Sequence, residues 1–378
     1  MKNKILSSYP WFIELPSIID NYVESLKKPN KSFSYFPAEK GLTSGGSKLE
    51  LGFSCYALKI SHITNKFDTL HENEKNSWVN YINSFYKSDS RFGHSTFVDS
   101  AYLESIYKKN NILYTKYLVK QILNYFNLSN YENLDSYVQR SVMAETKQAV
   151  ATLSDAGIQA NYDFRDILQP DNGLTKYLKS QNWNTPWMAG AQFANICVFS
   201  STSKLFNNEK YNIEINNFIN NICDAETGTY FLGPKPSNRE LINGSMKVIS
   251  GFEWINKEIN YPEKLIDFCL QSKISQEGCD LVDIVYVLYK CAGQTSYKRK
   301  EIANFLFELL DLIFLHFYIE KGGFSYFLNK SQTHYYGVKI TRGTNNPDIH
   351  GTLLLLWSIS MILEILEVND LKLKVLKP

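Results

Sequence analysis

Six segments of this chain are apolar enough to be buried helices, and each of them opens on a small or polar cluster. They begin near Gly52, Glu145, Gly190, Gly244, Gly278 and Asp348. The last of them, GTLLLLWSISMIL at 351–363, is apolar on every side, as a helix must be when other helices enclose it. The pattern predicts an all-α fold with several helices around one buried interior.

Other segments carry a polar stripe, which is typical of helices with one face in water. In 301–318, Glu301, Asn304 and Glu308 recur at helical spacing among apolar residues. Similar stripes mark 74–87, 112–126 and 262–272. Buried helices that alternate with such helices predict two concentric layers, an (α/α)6 toroid. The main alternative is an open helical solenoid, which would need a uniform repeat period that the chain lacks.

The paired helices run through nearly all of the 378 residues, which favours a single domain over two. We expect an N-terminal extension with an outer helix, the helical ring and a short tail, at 1–50, 51–366 and 367–378. Glycine-flanked aromatic segments at 227–233 and 321–327 predict tight turns or small hairpins between helices.

Composition narrows the functional classes. The formal net charge is only +2, and lysine and arginine are scattered, which argues against duplex nucleic acid as a partner. The longest apolar stretch, 352–366, is shorter than the roughly 20 residues that cross a bilayer. The N-terminus lacks the apolar core and cleavage site of a secretion signal. The sequence thus predicts a cytoplasmic protein without a transmembrane segment.

Three pieces of sequence towards the end of the chain carry a family resemblance. GCDLVDIVYVLYKCAG at 278–293 is an apolar helix that contains Asp283, GGFSYF at 322–327 is a glycine–aromatic turn, and PDIHGTLLLLW at 347–357 opens an apolar helix on polar residues. Together they resemble the α/α toroids of the terpenoid cyclases and the protein prenyltransferase β-subunits. The resemblance implies a toroid fold and, in a prenyltransferase-like chain, a zinc-binding aspartate at Asp283.

The chain departs from both families at catalytic positions. A prenyltransferase has a cysteine ligand where this chain has Val285, and its zinc histidine immediately precedes a threonine, where this chain has Gly351. Aligned to the cyclases, His350 stands in the place of the proton-donating aspartate, and only Asp348 keeps a carboxylate. The resemblance therefore leaves the cofactor open, with a divalent metal as one option and no intact zinc motif. It bears on fold more than on function.

Asp280 and Asp283 are the first pair of candidate catalytic residues. Their i, i+3 spacing places both carboxylates on one face of an otherwise apolar helix. A buried ionised carboxylate requires a partner, so a cation, a metal or a basic side chain is expected nearby. The structural alternative is that Asp280 caps the helix and Asp283 pairs with a lysine or arginine.

Asp348 and His350 open the last buried helix and are the second pair of catalytic candidates. Asp348 follows Pro347 and has an equal claim to be the N-cap of the helix. His350 lies in the opening turn, where an imidazole can face a central cavity and exchange protons near neutral pH. The alternative for His350 is a core histidine with satisfied hydrogen bonds.

The candidates for substrate binding are Lys247, Trp187, Tyr335, Tyr336 and Arg342. Converging helix starts would form a positive mouth that attracts an anion, and Lys247 would reinforce it. The aromatic residues are candidates to wall the pocket, and Arg342 is a candidate to bind a carboxylate or phosphate. Core packing explains Trp187 more simply than substrate binding does, and solvation explains Arg342 equally well.

Two further polar groups are weaker candidates. Glu145, Lys147 and Gln148 form a polar group that would face the same mouth; in the alternative, Lys147 and Gln148 point outward and Lys247 neutralises Asp280 or Asp283. His94 and Asp99 form an alternative site in a turn-rich stretch.

These residues support three functions. The leading one is a toroid enzyme in which His350 or an aspartate performs acid-initiated or metal-assisted chemistry on an isoprenoid, as the resemblance implies. The second is a carbohydrate-active enzyme, namely a glycoside hydrolase, uronate lyase or epimerase that acts on an anionic glycan. The third is a non-catalytic binding or scaffold protein that holds a small molecule, a glycan or a protein partner, since a prenyltransferase β-subunit works only with its α partner.

Overall fold

The computed structural model describes residues 7–89, 91–107, 111–126, 132–158, 162–169, 173–203, 208–368 and 371–378. Helices dominate these residues, and the strands within them form two-stranded antiparallel sheets. The predicted all-α class is therefore confirmed. In the described part of the chain, no helix combines the length and the apolar character that crossing a membrane requires.

The helical elements begin with a 3-10 helix at Pro10–Glu14. The α-helices are α1 (Leu15–Ser25), α2 (Leu51–Ile63), α3 (Lys66–Thr69), α4 (Glu72–Asn83), α5 (Ser100–Tyr107), α6 (Asn111–Tyr125), α7 (Leu134–Asp155), α8 (Arg165–Leu168), α9 (Leu174–Ser180), α10 (Pro186–Thr202), α11 (Asn208–Ile222), α12 (Asn238–Ile255), α13 (Pro262–Gln271), α14 (Gly278–Ala292), α15 (Arg299–Phe314) and α16 (Ile349–Ile365). The strands are β1 (Tyr86–Asp89), β2 (Gly93–Phe97), β3 (Phe317–Tyr318), β4 (Gly323–Phe324), β5 (His334–Tyr335) and β6 (Val338–Lys339).

Six of the helices contact one another in a closed cycle. Helix α2 packs against α7, α7 against α10, α10 against α12, α12 against α14, α14 against α16, and α16 against α2. The six segments predicted to be buried lie in these six helices, and every residue of α2 is buried. Other helices pack on the outside of the cycle, among them α13 against α14, and α15 against both α14 and α16.

Local hydrogen bonds start three of the six inner helices. The Asn133 side chain accepts a hydrogen bond from a backbone N–H of the first turn of α7, Ser237 does the same for α12, and Asp348 for α16. Such caps satisfy backbone donors that have no partner inside the helix. The polar residues that precede these apolar helices therefore have a structural role of their own.

Three inner helices begin earlier than the sequence predicted. Helices α7, α10 and α12 begin at residues 134, 186 and 238, ahead of the expected starts near Glu145, Gly190 and Gly244. A Cβ atom on Gly244 would lie 2.6 Å from the Pro186 Cβ, and one on Gly190 would lie 2.9 Å from the Gly244 carbonyl oxygen. These glycines therefore allow the close approach of α10 and α12. The sequence prediction took them for the starts of the helices instead.

One outer helix exposes more than its predicted polar stripe. The predicted stripe of α6 is Lys116, Lys120 and Asn124, of which Lys116 is exposed and the other two are partly buried. The apolar Leu118, Val119 and Ile122 are exposed as well, so the polar stripe alone does not define the solvent face of this helix. Of the predicted hairpins, 321–327 contains β4, which pairs with β3.

Candidate functional site

The six inner helices enclose a cavity of about 590 Å3. Polar side chains in its wall come from all six of them: Tyr56 and Lys59 of α2, Lys147 and Gln148 of α7, Gln192 and Asn195 of α10, Lys247 of α12, Asp283 of α14 and His350 of α16. The β5–β6 hairpin adds His334, Tyr335 and Tyr336. Residues that are far apart in the sequence therefore share one cavity.

Most of the predicted site residues line this cavity. They are Asp283, His350, Lys247, Trp187, Tyr335 and Tyr336. Three of the predicted residues, Asp280, Asp348 and Arg342, lie outside its wall. The structure thus separates each of the two predicted catalytic pairs into one residue that lines the cavity and one that does not.

Asp283 is the buried acid of the cavity. Its side chain is 1% exposed, and neither carboxylate oxygen has a hydrogen-bond partner among the described residues. Burial raises the pKa of Asp283 to about 7, while the positive charge of Lys247 acts in the opposite direction. The group is therefore divided between its protonated and ionised forms at neutral pH, which is the state that suits a proton donor or acceptor.

His350 lies between two aromatic rings. Its imidazole stacks on Tyr56, with ring centroids 4.6 Å apart, and on Tyr326, with centroids 5.2 Å apart. Burial lowers its pKa to about 3, and the charge of Lys247 adds to the shift. The imidazole is therefore neutral at physiological pH, and the expectation that it exchanges protons near neutral pH is not met. As a neutral ring it can accept or donate a hydrogen bond to a ligand.

Basic side chains outnumber acidic ones in the described part of the cavity wall. The basic residues are Lys59, Arg140, Lys147, Lys247 and Lys377, whereas the acidic residue is Asp283. Lys59 forms an ion pair with Asp155 at 3.3 Å, and Arg140 forms one with Glu132 at 2.8 Å. The wall therefore carries an excess of positive charge, part of which is already neutralised.

Lys147, Lys247 and Lys377 carry the remaining positive charge. Lys377 lies over the Trp254 ring, whereas Lys147 and Lys247 form no ion pair and no side-chain hydrogen bond with a residue that the structure describes. Burial lowers the pKa of Lys147 to about 7, and the charges of Lys247 and Lys59 contribute to the shift. Unpaired cations inside a protein are costly, so an anionic ligand at this place is favoured. Lys147 is among the residues that the sequence left undecided between inside and outside.

Asp280 has its partners away from the cavity. It accepts two hydrogen bonds from Arg239 Nε, at 3.0 and 2.8 Å, and one from Asn243 Nδ2 at 2.7 Å. The Arg239 guanidinium in turn lies 5.6 Å from the ring centroid of Trp187, which lines the cavity. Asp280 is thus joined to α12 and through Arg239 to Trp187. The capping interpretation is wrong, because Glu277 is the N-cap of α14, and the catalytic role of Asp280 stays a prediction.

Asp348 is committed to backbone hydrogen bonds. Its carboxylate accepts hydrogen bonds from the backbone N–H groups of Gly351 and Tyr326, both at 2.8 Å, and of Gln332 at 3.0 Å. It therefore caps α16 and fixes the loop before the β5–β6 hairpin, and the N-cap interpretation is the correct one. Arg342 is exposed away from the cavity wall, so its predicted role in substrate binding has no support in the geometry.

The β5–β6 hairpin forms part of the cavity wall and lies against the start of α2 at Gly52. Tyr335 pairs with Val338, which leaves Tyr336 and Gly337 as a two-residue turn with φ of 41° and 79°. This turn type matches the twist of a hairpin, but a tyrosine seldom adopts a positive φ. The hairpin thus holds Tyr336 in a strained conformation at the cavity wall.

The hairpin is joined to the inner helices through Tyr335. Its hydroxyl donates a hydrogen bond to Glu145 at 3.0 Å, and burial raises the pKa of Glu145 to about 8. A Cβ atom on residue 52 would overlap the Tyr335 hydroxyl, so only glycine at that position leaves room for it. Gly52 is therefore required for the seating of the hairpin.

The implied zinc site lacks its ligands. No group of three histidine, cysteine, aspartate or glutamate side chains within the described ranges is placed to hold a metal ion. Cys279 lines the cavity, but its thiol accepts a hydrogen bond from Tyr326 at 2.9 Å, and burial raises its pKa to about 12. The residues present do not fit the prenyltransferase metal.

The alternative site near Asp99 is structural in its described part. The Asp99 carboxylate accepts hydrogen bonds from the backbone N–H groups of Glu50, Leu51 and Ala101. The His94 side chain lies outside the described residues. The sequence also missed several cavity residues, for which a polar residue inside an apolar helix was the available signal. They are Tyr56, Lys59, Gln192, Asn195 and Cys279.

Comparison with known proteins adds no information about the site. No protein-family model matches the chain, and no curated protein or solved structure matches it significantly.

Proposed function

We propose that the protein is an enzyme that performs acid–base chemistry on an anionic carbohydrate in the central cavity of an (α/α)6 toroid. The observation that carries the proposal is the presence of two unpaired lysines and one unpaired carboxyl group in the same cavity wall. The closed cycle of inner helices supports the toroid.

The charge of the wall favours an anionic ligand. Lys147 and Lys247 have no partner among the described residues. The ends of α12, α14 and α16 line one shared second cavity, so the first turns of these three helices direct their backbone N–H groups towards the opposite side. A uronate or sulfate group on the ligand would be the counterion that these lysines do not have among the described residues. Trp187 and Tyr336 supply flat apolar surfaces in the wall, against which a sugar ring can pack.

Asp283 and Lys147 are the proposed acid and base. Neutral Lys147 removes the proton on the carbon next to the uronate carboxylate, and protonated Asp283 gives its proton to the glycosidic oxygen on the adjacent carbon. As that C–O bond breaks, a C=C double bond forms between the two carbons, so that the step is a β-elimination that leaves a free hydroxyl group on the departing sugar. Both groups have pKa values of about 7, at which each form is populated. Lys247 balances the negative charge of the substrate, and Asp280 positions Trp187 through Arg239.

Chemistry on an isoprenoid is the second candidate, and it is favoured by the apolar part of the wall, which includes Val282, Leu353 and Leu354. Two features oppose it. Neighbouring lysine charges would repel a carbocation, and an acid with a pKa near 7 is too weak to protonate a carbon–carbon double bond. The third candidate is a non-catalytic binding protein, whose ligand would also be negatively charged.

Calorimetry with oligogalacturonates, neutral cello-oligosaccharides and geranylgeranyl diphosphate separates these candidates. We expect the oligogalacturonates to bind best and Lys247→Met to weaken binding about tenfold, as loss of a charged contact does. Lys147→Met should weaken binding less, because Lys147 is charged in only part of the molecules at neutral pH. Lys264→Met is the matched control, because Lys264 is exposed on α13. Preference for the neutral sugar or for the isoprenoid diphosphate contradicts the proposal.

Turnover is measured by mass spectrometry of the same oligogalacturonates. Asp283→Asn keeps the shape of the side chain and should bind with unchanged affinity while losing about 100-fold in rate. Tight binding without turnover in the unmodified protein would identify a binding protein instead of an enzyme.

A further inference from the structure

A second cavity lies at the opposite end of the inner helices. It has a volume of about 610 Å3 and is lined by residues near the ends of α12, α14 and α16, including Phe252, Tyr289 and Glu364. Lys377 lines both this cavity and the central one. The part of the chain that contains Lys377 therefore stands between the two.

Residues 371–378 cross the ring from one side to the other. The segment is attached beyond the end of α2, where the Lys374 N–H donates to the Ile63 carbonyl at 2.9 Å and Lys374 pairs with Asp68. It then reaches α12, where Trp254 Nε1 donates to the Pro378 carbonyl at 2.8 Å. Because α12 stands three places from α2 in the cycle of six helices, the segment spans the ring.

Further contacts hold the segment against the cavity wall between these two ends. Trp357 Nε1 donates to the Leu376 carbonyl at 3.2 Å, and Lys59 Nζ donates to the Lys377 carbonyl at 3.2 Å. The Lys377 ammonium lies 4.2 Å from the ring centroid of Trp254. Three inner helices thus bind the backbone or side chains of the last three residues, and Leu376, Lys377 and Pro378 form part of the central cavity wall.

We propose that residues 371–378 are a specificity-determining partition that closes the far end of the central cavity. A ring without this segment would be open at both ends, because the two cavities would join at Lys377, and a long polymer would pass through. With the segment in place the cavity is blind, so it admits the end of a chain or a short oligomer. The carbohydrate class rests on the proposed function, whereas the partition rests on the contacts of the segment alone.

Binding of oligogalacturonates of increasing length tests the partition. For the full chain we expect affinity to rise with length until the cavity is filled and then to stay constant. For the chain shortened after Val368, affinity should go on rising, by about tenfold for the longest oligomers, as added units reach the second cavity. Lys372→Ala, a change of an exposed side chain in the same segment, should behave like the full chain. The same length dependence in the shortened and full chains overturns the proposal.

Acrylamide quenching of tryptophan fluorescence tests the partition without any ligand. Trp254 and Trp357 are 6% and 8% exposed beneath the segment, so its removal should raise their quenching about twofold, and Lys372→Ala should not. Unchanged quenching in the folded, shortened chain overturns the partition. If no oligogalacturonate binds but quenching rises, the proposed function fails and the partition stands.

A full-length variant covers the case in which the shortened chain does not fold. Trp254→Phe with Trp357→Phe removes both N–H donors to the segment and keeps the aromatic rings. We expect hydrogen exchange in 374–378 to become about tenfold faster in this variant, together with the continued rise of affinity with oligomer length. Exchange at the original rate, or a length dependence like that of the full chain, overturns the proposal.

Discussion

Two regions of the inner helices bury aspartates in opposite ways. At the side where the helices begin, Asp280 accepts three hydrogen bonds from side chains, and Asp348 accepts three from backbone N–H groups. Deeper in the ring, Asp283 is equally buried and accepts none from the described residues. Burial alone therefore does not identify a functional acid. The lack of a partner does, because a group that costs stability has to be retained for another reason.

The lysines of the cavity repeat this contrast. Lys59 is paired with Asp155, whereas Lys147 has no counterion among the described residues. The pairs are structural elements of the ring, and the unpaired groups are those to which we assign ligand binding and chemistry.

Replacement of Asp348 should have the largest effect on stability. Asp348→Ala leaves three backbone N–H groups without their acceptor and removes the cap of α16, so we expect a loss of about 3 to 5 kcal/mol in the free energy of unfolding. Urea denaturation followed by circular dichroism measures it. A loss below about 1 kcal/mol would mean that water replaces the carboxylate and that the site is less buried than described.

Asp280 and Asp283 form the matched pair, since they lie one turn apart on α14. Asp280→Asn weakens the pairing with the partly exposed Arg239 and should cost about 1 to 2 kcal/mol, whereas Asp283→Asn should cost nothing at pH 8. The same denaturation experiment at pH 8 compares them. Equal losses for the two variants would show that Asp283 has a partner after all.

The pH dependence of stability sharpens the contrast. The pKa of Asp283 is about 7 in the folded state and about 4 in the unfolded state. Between pH 4 and pH 7, therefore, the folded state holds a proton on Asp283 that the unfolded state has lost. The contribution of Asp283 to the free energy of unfolding therefore falls as pH rises from 4 to 7, by about 2 to 4 kcal/mol. Asp283→Asn should remove this slope. Parallel pH profiles for the two proteins would contradict the raised pKa.

Lys147 should give the smallest change, with the opposite sign. Its pKa is about 7 when folded and about 10.4 when unfolded, so the unfolded state binds more protons in this window and stability rises with pH. Lys147→Met should flatten the profile by about 1 kcal/mol, since the side chain is only partly buried. The difference between the free energies of unfolding at pH 7 and at pH 9, compared for the two proteins, measures this effect. A larger slope in the variant would be the contrary result.

Sequence patterns located the buried helices and part of the site, because these depend on local order. The Asp348 cap is a local feature, since an aspartate directly precedes an apolar helix. The partners of Asp280 are not local, because Arg239 and Asn243 belong to another helix. The inward direction of Lys147 was hidden by a helix start placed at Glu145 when α7 begins at residue 134. The low pKa of His350 depends on its burial and on the charge of Lys247 from another helix, which no local sequence pattern reports.

The most direct test of the account is a titration of the aspartate carboxyl carbons by 13C NMR, with Asp283→Asn used to assign the signal. The account predicts a midpoint for Asp283 at about 7, which moves when Lys247→Met removes the neighbouring charge. An Asp283 signal that titrates near 4, as in an exposed or ion-paired carboxylate, would contradict the central claim that this cavity holds an unpaired acid.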